Sequence, residues 1–261
     1  MSTPNPTPAG TIEGREAFMR RIAGRLGRPA PLAVQPERPF VGVPDFYAAV
    51  QKTERERAEL FTDCLSALTG TVWTAKAADA AESVPSLARQ ICAERGIDRV
   101  IRWDHPDLNA LPLDAALAGD GVAVAPWRED ADFGGVQPAC DEGSPWRSRS
   151  PLLHAAERSR LGIVWADYAI ANTGTLVLLA HGGRGRSVSL MTDTLFAVVR
   201  ADRIVTRMGE AFEAIRRDYP DTLTLPSSIN LITGPSRSAD IENDLTIGIH
   251  GPGKVYAVIL E

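Results

Sequence analysis

Three short apolar runs decide the fold: Thr71-Val-Trp-Thr74, Arg99-Val-Ile-Arg-Trp103 and Gly121-Val-Ala-Val-Ala125. Residues 84–95 and 110–118 separate these runs and have the spacing of helices. Strands that alternate with helices are typical of βαβ units, in which neighbouring strands run parallel. The sequence therefore predicts an α/β fold with a mixed, largely parallel sheet flanked by helices.

The rest of the chain predicts more strands and a few helices within one domain, residues 45–261. Helical spacing occurs at residues 45–68 and 206–218, and residues 126–146 are rich in acids, glycine and proline, as in a long loop. The further strands are predicted at residues 162–165, 175–179, 188–190, 196–199, 229–233 and 255–260.

The first 44 residues are predicted to form an N-terminal extension of this domain. Residues 1–11 are expected to be disordered, residues 13–27 predict a helix, and five prolines in residues 29–44 predict an extended linker. The polar start lacks the apolar core of a signal peptide, and no run approaches the length of a membrane span. We therefore expect a cytoplasmic protein.

Composition limits the classes of partner and cofactor. The chain of 261 residues is 44% hydrophobic and 23% charged, and its net charge of −5 disfavours nucleic acid as a partner. The cysteines Cys64, Cys92 and Cys140 are far apart and form no Cys-x-x-Cys motif, which fits a reducing cytosol. The chain therefore cannot ligate a four-cysteine iron–sulfur cluster by itself, and we expect no cofactor on it.

A candidate anion site lies in the stretch Ile232-Thr-Gly-Pro-Ser-Arg-Ser-Ala-Asp-Ile-Glu242. Gly234 and the proline after it predict a turn, and Ser236 then stands where the N-cap of a helix would stand. Free N–H groups at a helix start attract anions, and Arg237 adds a planar fork for a carboxylate or phosphate. Gly234, Ser236, Arg237 and Asp240 are therefore candidate ligand-binding residues. The alternative is a plain cap, with Arg237 paired to an acid of the same stretch.

A second candidate lies in Asn172-Thr-Gly-Thr175, between two apolar runs. Gly174 tolerates the backbone of a tight loop, and the hydroxyl groups of Thr173 and Thr175 could contact a ligand. The alternative is an ordinary turn between strands, in which the threonines bond their own backbone. If this loop and the Gly234 turn meet at the carboxyl ends of the strands, they would enclose a small anion site.

Two further segments carry weaker signals. His250, within Gly248-Ile-His-Gly-Pro252, is the candidate catalytic residue, although a lone histidine at a strand edge can equally be structural. The stretch His181-Gly-Gly-Arg-Gly-Arg186 resembles a phosphate-binding loop in composition but lacks the spacing and the lysine of a P-loop. The acids at positions 240, 242 and 244 lack the glycine of a calcium loop, so no metal site is predicted.

Three of these segments together resemble the signatures of the LUD-domain family, the bacterial lactate-utilisation proteins of the C-subunit type. The segments are Asn172-Thr-Gly-Thr-Leu-Val177, the stretch 232–242 and the stretch 248–252. The resemblance implies the fold shared by ribose-phosphate isomerases, CoA transferases and formyltetrahydrofolate cyclo-ligase. It also implies a cytoplasmic role in oxidising L-lactate to pyruvate, alongside two partner proteins of which at least one carries iron–sulfur clusters.

The chain departs from the family pattern at two points. The family usually has a glutamate directly before Thr-Gly-Thr, whereas this sequence has Asn172, which cannot act as a general base or carboxylate nucleophile. The family's proline and histidine are also missing after the pair Ser189-Leu190. Catalytic roles that depend on those family residues are therefore not expected here.

Two functions are consistent with these features. The first is a non-redox subunit that binds a small organic anion and acts with iron–sulfur lactate-utilisation proteins. It is favoured by the resemblance and by the absence of cluster motifs and of the dinucleotide fingerprint. The second is a stand-alone enzyme or sensor for a phosphosugar, acyl-CoA or folate-like anion on the same fold.

Overall fold

The computed structural model describes residues 14–34, 52–128, 151–239 and 245–261. Several predictions concern residues outside these ranges: the disorder of residues 1–11, the linker beyond residue 34, the long loop beyond residue 128, Cys140 and Asp240. They stay predictions.

The chain divides into two compact units, residues 1–50 and 51–261. In the first unit, helix α1 (Arg15–Arg25) confirms the helix predicted at residues 13–27. No helix among the described ranges is both long and apolar enough to cross a membrane.

The second unit alternates helices and strands along the chain. Its helices are α2 (Glu54–Ala67), α3 (Ala80–Arg95), α4 (Pro106–Asn109), α5 (Leu113–Gly119), α6 (Pro151–Arg158), α7 (Ser187–Leu190) and α8 (Met208–Asp218). Its strands are β1 (Thr71–Ala75), β2 (Arg99–Arg102), β3 (Ala123–Pro126), β4 (Leu161–Trp165), β5 (Tyr168–Ile170), β6 (Thr175–Ala180), β7 (Thr194–Arg200), β8 (Ile204–Val205), β9 (Ser228–Ile232), β10 (Arg237–Ala239), β11 (Leu245–Ile247) and β12 (Lys254–Leu260).

The main sheet has the strand order β1-β12-β7-β4-β2-β3, and every neighbouring pair in it is parallel. Its central strands β4, β7 and β12 are apolar almost throughout, because helices or the second sheet cover both faces. The large side chains of Phe61, Trp103 and Phe196 are fully buried in this core. The predicted fold class is therefore confirmed.

The second sheet has the strand order β8-β5-β6-β9 and is mostly antiparallel. Side chains alternate across it, as the period of two in a strand requires. Leu176 and Leu178 of β6 join the main core, whereas Val177 and Leu179 pack with α8 in a smaller cluster. The second sheet thus lies between the main core and α8.

Two local predictions are wrong. A helix starting at Ser236 was predicted, but β10 follows and pairs with β11, because Ser236 N–H donates to Pro252 O and Ser236 O accepts from Gly248 N–H. These long-range bonds commit the backbone to an extended form. Residues 188–190 were predicted as a strand, but they lie in the short helix α7, where Ser189 Oγ donates to Arg186 O.

Candidate functional site

The two predicted ligand loops meet at one end of the second sheet. Strand β6 pairs with β9 so that Leu176 lies opposite Ile232, which brings Thr175 beside Thr233. The Thr175 hydroxyl lies 2.8 Å from that of Thr233 and 2.7 Å from that of Thr173. We call these three residues the threonine cluster. Two hydrogen bonds thus join their hydroxyl groups, with Thr175 in the middle.

Helix α2 packs directly against both loops. Gly174 has a left-handed backbone with φ of 59°, and a Cβ atom there would lie 2.4 Å from Leu65 N. Gly234 has φ of 78°, and a Cβ atom there would lie 2.9 Å from Leu68 Cβ. The two glycines therefore allow a close approach of the loop backbone to this helix.

Arg237 stabilises the end of the same helix. One of its terminal nitrogens, Nη2, donates to Leu68 O at 2.8 Å and to Thr69 Oγ1 at 3.3 Å. The C-terminal end of a helix carries a partial negative charge, which suits a guanidinium and disfavours an anion. These contacts lie just before Thr71, at the amino end of β1. The two loops follow β5 and β9 of the second sheet, but the prediction that they line the carboxyl ends of the strands is wrong for the parallel main sheet.

Two further candidates, Ser236 and His250, lie close to each other, whereas Asn172 has a different partner. His250 is exposed, and its backbone N–H donates to Ser236 Oγ at 3.3 Å. Asn172, at the position of the family's glutamate, is also exposed, and its N–H donates to Thr206 O at 3.2 Å. The structure therefore brings Ser236 and His250 together, and it gives neither a charged partner among the described residues.

A cleft with a volume of about 410 Å³ lies at the opposite end of the second sheet. It opens beside the carboxyl ends of β4 and β7, where open α/β sheets bind their ligands. We call it the polar cleft, and its lining includes His105, Trp165, Asp167, Arg184, Arg203 and Tyr219.

Asp167 and Arg184 form a shielded ion pair in the polar cleft. Asp167 Oδ1 accepts from Arg184 Nη1 at 2.8 Å, and Oδ2 accepts from Leu179 N–H at 2.9 Å. The two side chains are only 12% and 18% exposed. Burial raises the pKa of Asp167 to about 6, although the Leu179 N–H and Arg184 act in the opposite direction. Asp167 can therefore exchange a proton near neutral pH.

His105 is a buried, neutral imidazole beside this pair. It caps α4 by accepting the Asp107 N–H on Nδ1 at 3.1 Å, and its ring stacks on Trp165 with centroids 5.6 Å apart. Burial, helped by the charge of Arg184, lowers the pKa of His105 to about 4. Because Nδ1 accepts, the proton of the neutral ring lies on Nε2.

Two tyrosines complete the polar groups. The Tyr168 hydroxyl donates to Asp218 Oδ2 and accepts from Arg203 Nη1 at 3.1 Å, and burial raises the pKa of Tyr168. The Tyr219 hydroxyl lies 3.2 Å from His181 Nε2, and burial raises the pKa of Tyr219 as well. Both phenols therefore stay protonated at neutral pH.

The glycine-rich stretch 181–186 holds Arg184 in place. Gly183 O accepts from the Asp104 N–H, and Gly185 O accepts from Trp103 Nε1, both at 2.9 Å. A Cβ atom on Gly185 would lie 2.1 Å from the ring of Trp127, so only glycine fits there. The glycine-rich, basic composition of this stretch indicated an anion-binding loop, whereas Asp167 and His105 were not predicted to be site residues. The signal for Asp167 was its position just after the apolar strand β4.

A larger cleft of about 600 Å³ lies beside α2 but has a less specific lining. Its charged residues, among them Glu54, Arg55, Glu59 and Asp63, are exposed. Arg55 pairs with Glu59 across one helical turn, an arrangement typical of a solvated helix face. The polar cleft is therefore the better candidate.

Metal and thiol chemistry have little support in the described ranges. No group of three histidine, cysteine or acidic side chains in them is placed to hold a metal ion. Cys64 and Cys92 are free thiols, and burial raises the pKa of Cys92 to about 11. The Cys92 thiol therefore stays protonated and unreactive at neutral pH.

Known proteins are similar to this chain over nearly its whole length. Lactate utilization protein C of Bacillus subtilis (strain 168) is 32% identical over an alignment of 262 residues, which covers 96% of this chain and 98% of the relative. The protein of the same name from Bacillus licheniformis is 32% identical over 257 residues, with 97% and 98% covered.

The fold also has a solved counterpart. A crystal structure of a DUF162-family protein from Deinococcus radiodurans superposes with a TM-score of 0.53 and 18% identity, covering 81% of this chain and all of that one. The family model of the LUD domain matches residues 43–260. The chain therefore belongs to the LUD-domain family, as its motifs predicted.

Proposed function

We propose that this protein is a component of a bacterial L-lactate utilisation system, in which L-lactate is oxidised to pyruvate. The observation that carries the proposal is the similarity to proteins named lactate utilization protein C. That similarity covers at least 96% of this chain and 98% of each relative, so it is not confined to one shared segment.

Within this system we assign the protein a non-redox role in the cytoplasm. Its three cysteines are dispersed and it lacks a dinucleotide fingerprint, so electron transfer falls to partner proteins that carry iron–sulfur clusters. The polar cleft supports a role in binding and proton exchange, because Asp167 titrates near neutral pH while His105 and the tyrosines are neutral.

Deletion of the gene in its own bacterium tests this proposal. The strain should fail to grow on L-lactate, should grow normally on pyruvate, and should recover on lactate when a tagged copy of the gene is returned. Growth on pyruvate is the control, because it bypasses the oxidation step alone. Iron–sulfur proteins should then co-purify with the tagged protein from lactate-grown cells.

Two results would count against the proposal. Normal growth of the deletion strain on lactate would favour the stand-alone enzyme or the sensor instead. A growth defect on pyruvate as severe as that on lactate would place the protein outside the oxidation step.

A further inference from the structure

We propose that the polar cleft is a binding site for a small carboxylate, received by the guanidinium of Arg184 and the Nε2–H group of His105. The preference for a carboxylate follows from the cleft itself. The narrower class of 2-hydroxy and 2-oxo acids rests on the proposed function.

The first support is a surplus of hydrogen-bond donors. A guanidinium has five N–H groups, and among the described residues Arg184 gives one of them, to Asp167. His105 has a side chain only 9% exposed, its Nδ1 accepts from Asp107, and its Nε2–H has no acceptor in the described part of the chain. Neither donor is sealed from solvent, because among the described residues only Arg57 Nε is a fully buried side-chain polar atom without a partner. Both donors are therefore open to an acceptor-rich ligand.

The second support is that the acceptors of the cleft are already engaged. Asp167 accepts from Arg184 and from a backbone N–H, and Asp218 accepts from the Tyr168 hydroxyl. Asp202 forms two hydrogen bonds with Arg200. Asp107 lies at the mouth with its side chain 56% exposed to water. A cation would therefore find few free oxygens, whereas an anion finds free N–H groups.

The third support is the shape of the wall beside these donors. The stacked rings of His105 and Trp165 form a flat wall of the cleft, next to the polar side chains of Asp167 and Arg184. The ring surfaces can contact the short carbon chain of a small acid. Arg184 can bind the carboxylate of that acid, since a guanidinium can donate to two oxygens at once. Arg184 and His105 lie close enough for the charge of Arg184 to lower the pKa of His105.

Calorimetric titration of the purified full-length protein with L-lactate and with pyruvate tests the site. L-lactamide is the matched neutral probe, because it keeps the shape of lactate and removes the carboxylate charge. We expect saturable binding of at least one of the two acids, and binding of lactamide at least about tenfold weaker.

Arg184→Met should weaken binding of the acid about tenfold or more, since it removes a charge-assisted contact. Arg186→Met is the matched control, because Arg186 belongs to the same loop and is exposed. Its affinity should equal that of the wild type. His105→Asn keeps an acceptor for the Asp107 N–H but removes the Nε2–H, so it should also weaken binding.

Loss of Arg184 leaves Asp167 without its partner, which could unfold the protein. The double variant Asp167→Asn with Arg184→Met removes the pair together, and circular dichroism would report its folding. A folded double variant that still binds the acid like the wild type would overturn the proposal. The proposal would also be overturned if the wild-type protein bound neither acid at ligand concentrations up to about 10 mM, because a specific site should have a dissociation constant below that value.

These outcomes are independent of the growth test. Binding through Arg184 in a protein whose deletion leaves lactate growth intact would support the cleft and contradict the proposed function. A growth defect on lactate without binding of either acid would support the proposed function and contradict the assignment of the cleft.

Discussion

The two ends of the second sheet use polar residues in opposite ways. Strand β6 connects them, from Thr175 in the threonine cluster to Ala180 beside the polar cleft. At the first end, hydroxyl groups bond one another and glycines let α2 pack closely. At the second end, burial raises the pKa of Asp167 and lowers that of His105. N–H groups of Arg184 and His105 there have no acceptor among the described residues. Polar residues that bond one another hold the fold, whereas the N–H groups that stay free in the cleft are, in our proposal, the groups that bind a ligand.

The residues that identify the family and the residues of the polar cleft are therefore different. The motifs by which the family is recognised, Thr173-Gly-Thr175 and Gly234 to Arg237, stabilise the contact between the second sheet and α2. The groups able to bind a ligand or exchange a proton come from the ends of other strands and from the glycine-rich stretch 181–186. In our proposal, the motifs therefore identify the fold, whereas other residues form the site.

The largest expected effect is on folding, from Gly174→Ala in the loop of the threonine cluster. The new Cβ atom would lie 2.4 Å from Leu65 N in a left-handed backbone, so we expect a loss of about 4 kcal/mol or more. Unfolding in urea measures it. Gly182→Ala near the polar cleft is the control: its φ of 51° is also positive, but the space around it is open, so the cost should be about 1 kcal/mol. Equal costs would contradict the close packing.

The next effect is on the pH dependence of stability, through His105. Its pKa is about 4 in the folded protein and 6.5 when unperturbed, so between these values the unfolded chain binds more protons. The folded state should therefore lose about 3 kcal/mol relative to His105→Asn as the pH falls through this window. Urea unfolding of both proteins from pH 7 to pH 4 measures the difference. Parallel curves would show that His105 is not shielded.

Asp167 should give a slightly smaller effect with the opposite slope. Its pKa is raised from 3.8 to about 6, so between these values the folded protein binds more protons than the unfolded chain. The wild type should lose about 3 kcal/mol relative to Asp167→Asn as the pH rises through this window, and the difference should be constant above it. The same urea series tests this. A difference that grows as the pH falls would contradict the raised pKa.

The smallest effect is expected for Arg237→Met. The variant loses hydrogen bonds to Leu68 and Thr69 at an exposed helix end, so it should cost about 1 kcal/mol of stability. Calorimetry should show unchanged affinity for lactate and pyruvate. Loss of binding at unchanged stability would instead place the anion site beside the threonine cluster and the Gly234 turn, where the sequence had predicted it.

Sequence patterns predicted the main sheet well, because its strands are apolar and separated by helices. The predicted runs at residues 71–74, 99–103 and 121–125 coincide closely with β1, β2 and β3. Strand β10 was not predictable from local residues, because Ser236 is committed to an extended form by bonds to Gly248 and Pro252. Helix capping preferences act locally and cannot anticipate such bonds.

The polar cleft, our candidate site, was predicted only in part, since burial is a tertiary property. The glycine-rich stretch 181–186 had the right composition, and it does supply Arg184 to the cleft. Asp167 and His105 are single residues far apart in the chain, and nothing in their neighbours indicates that they become shielded together. The Thr173 loop and the Gly234 turn were predicted to meet, and they do, but around a helix end.

The most direct test of the central claim is a nuclear magnetic resonance titration of the isotope-labelled full-length protein with pyruvate. Two sets of signals report the two ends: Leu179, Arg184 and the Trp165 indole at the polar cleft, and Gly174, Thr175 and Gly234 at the other end. We predict saturable shifts in the first set and none in the second. Shifts confined to the second set would contradict the account, and would place the ligand at the loops by which the family is recognised.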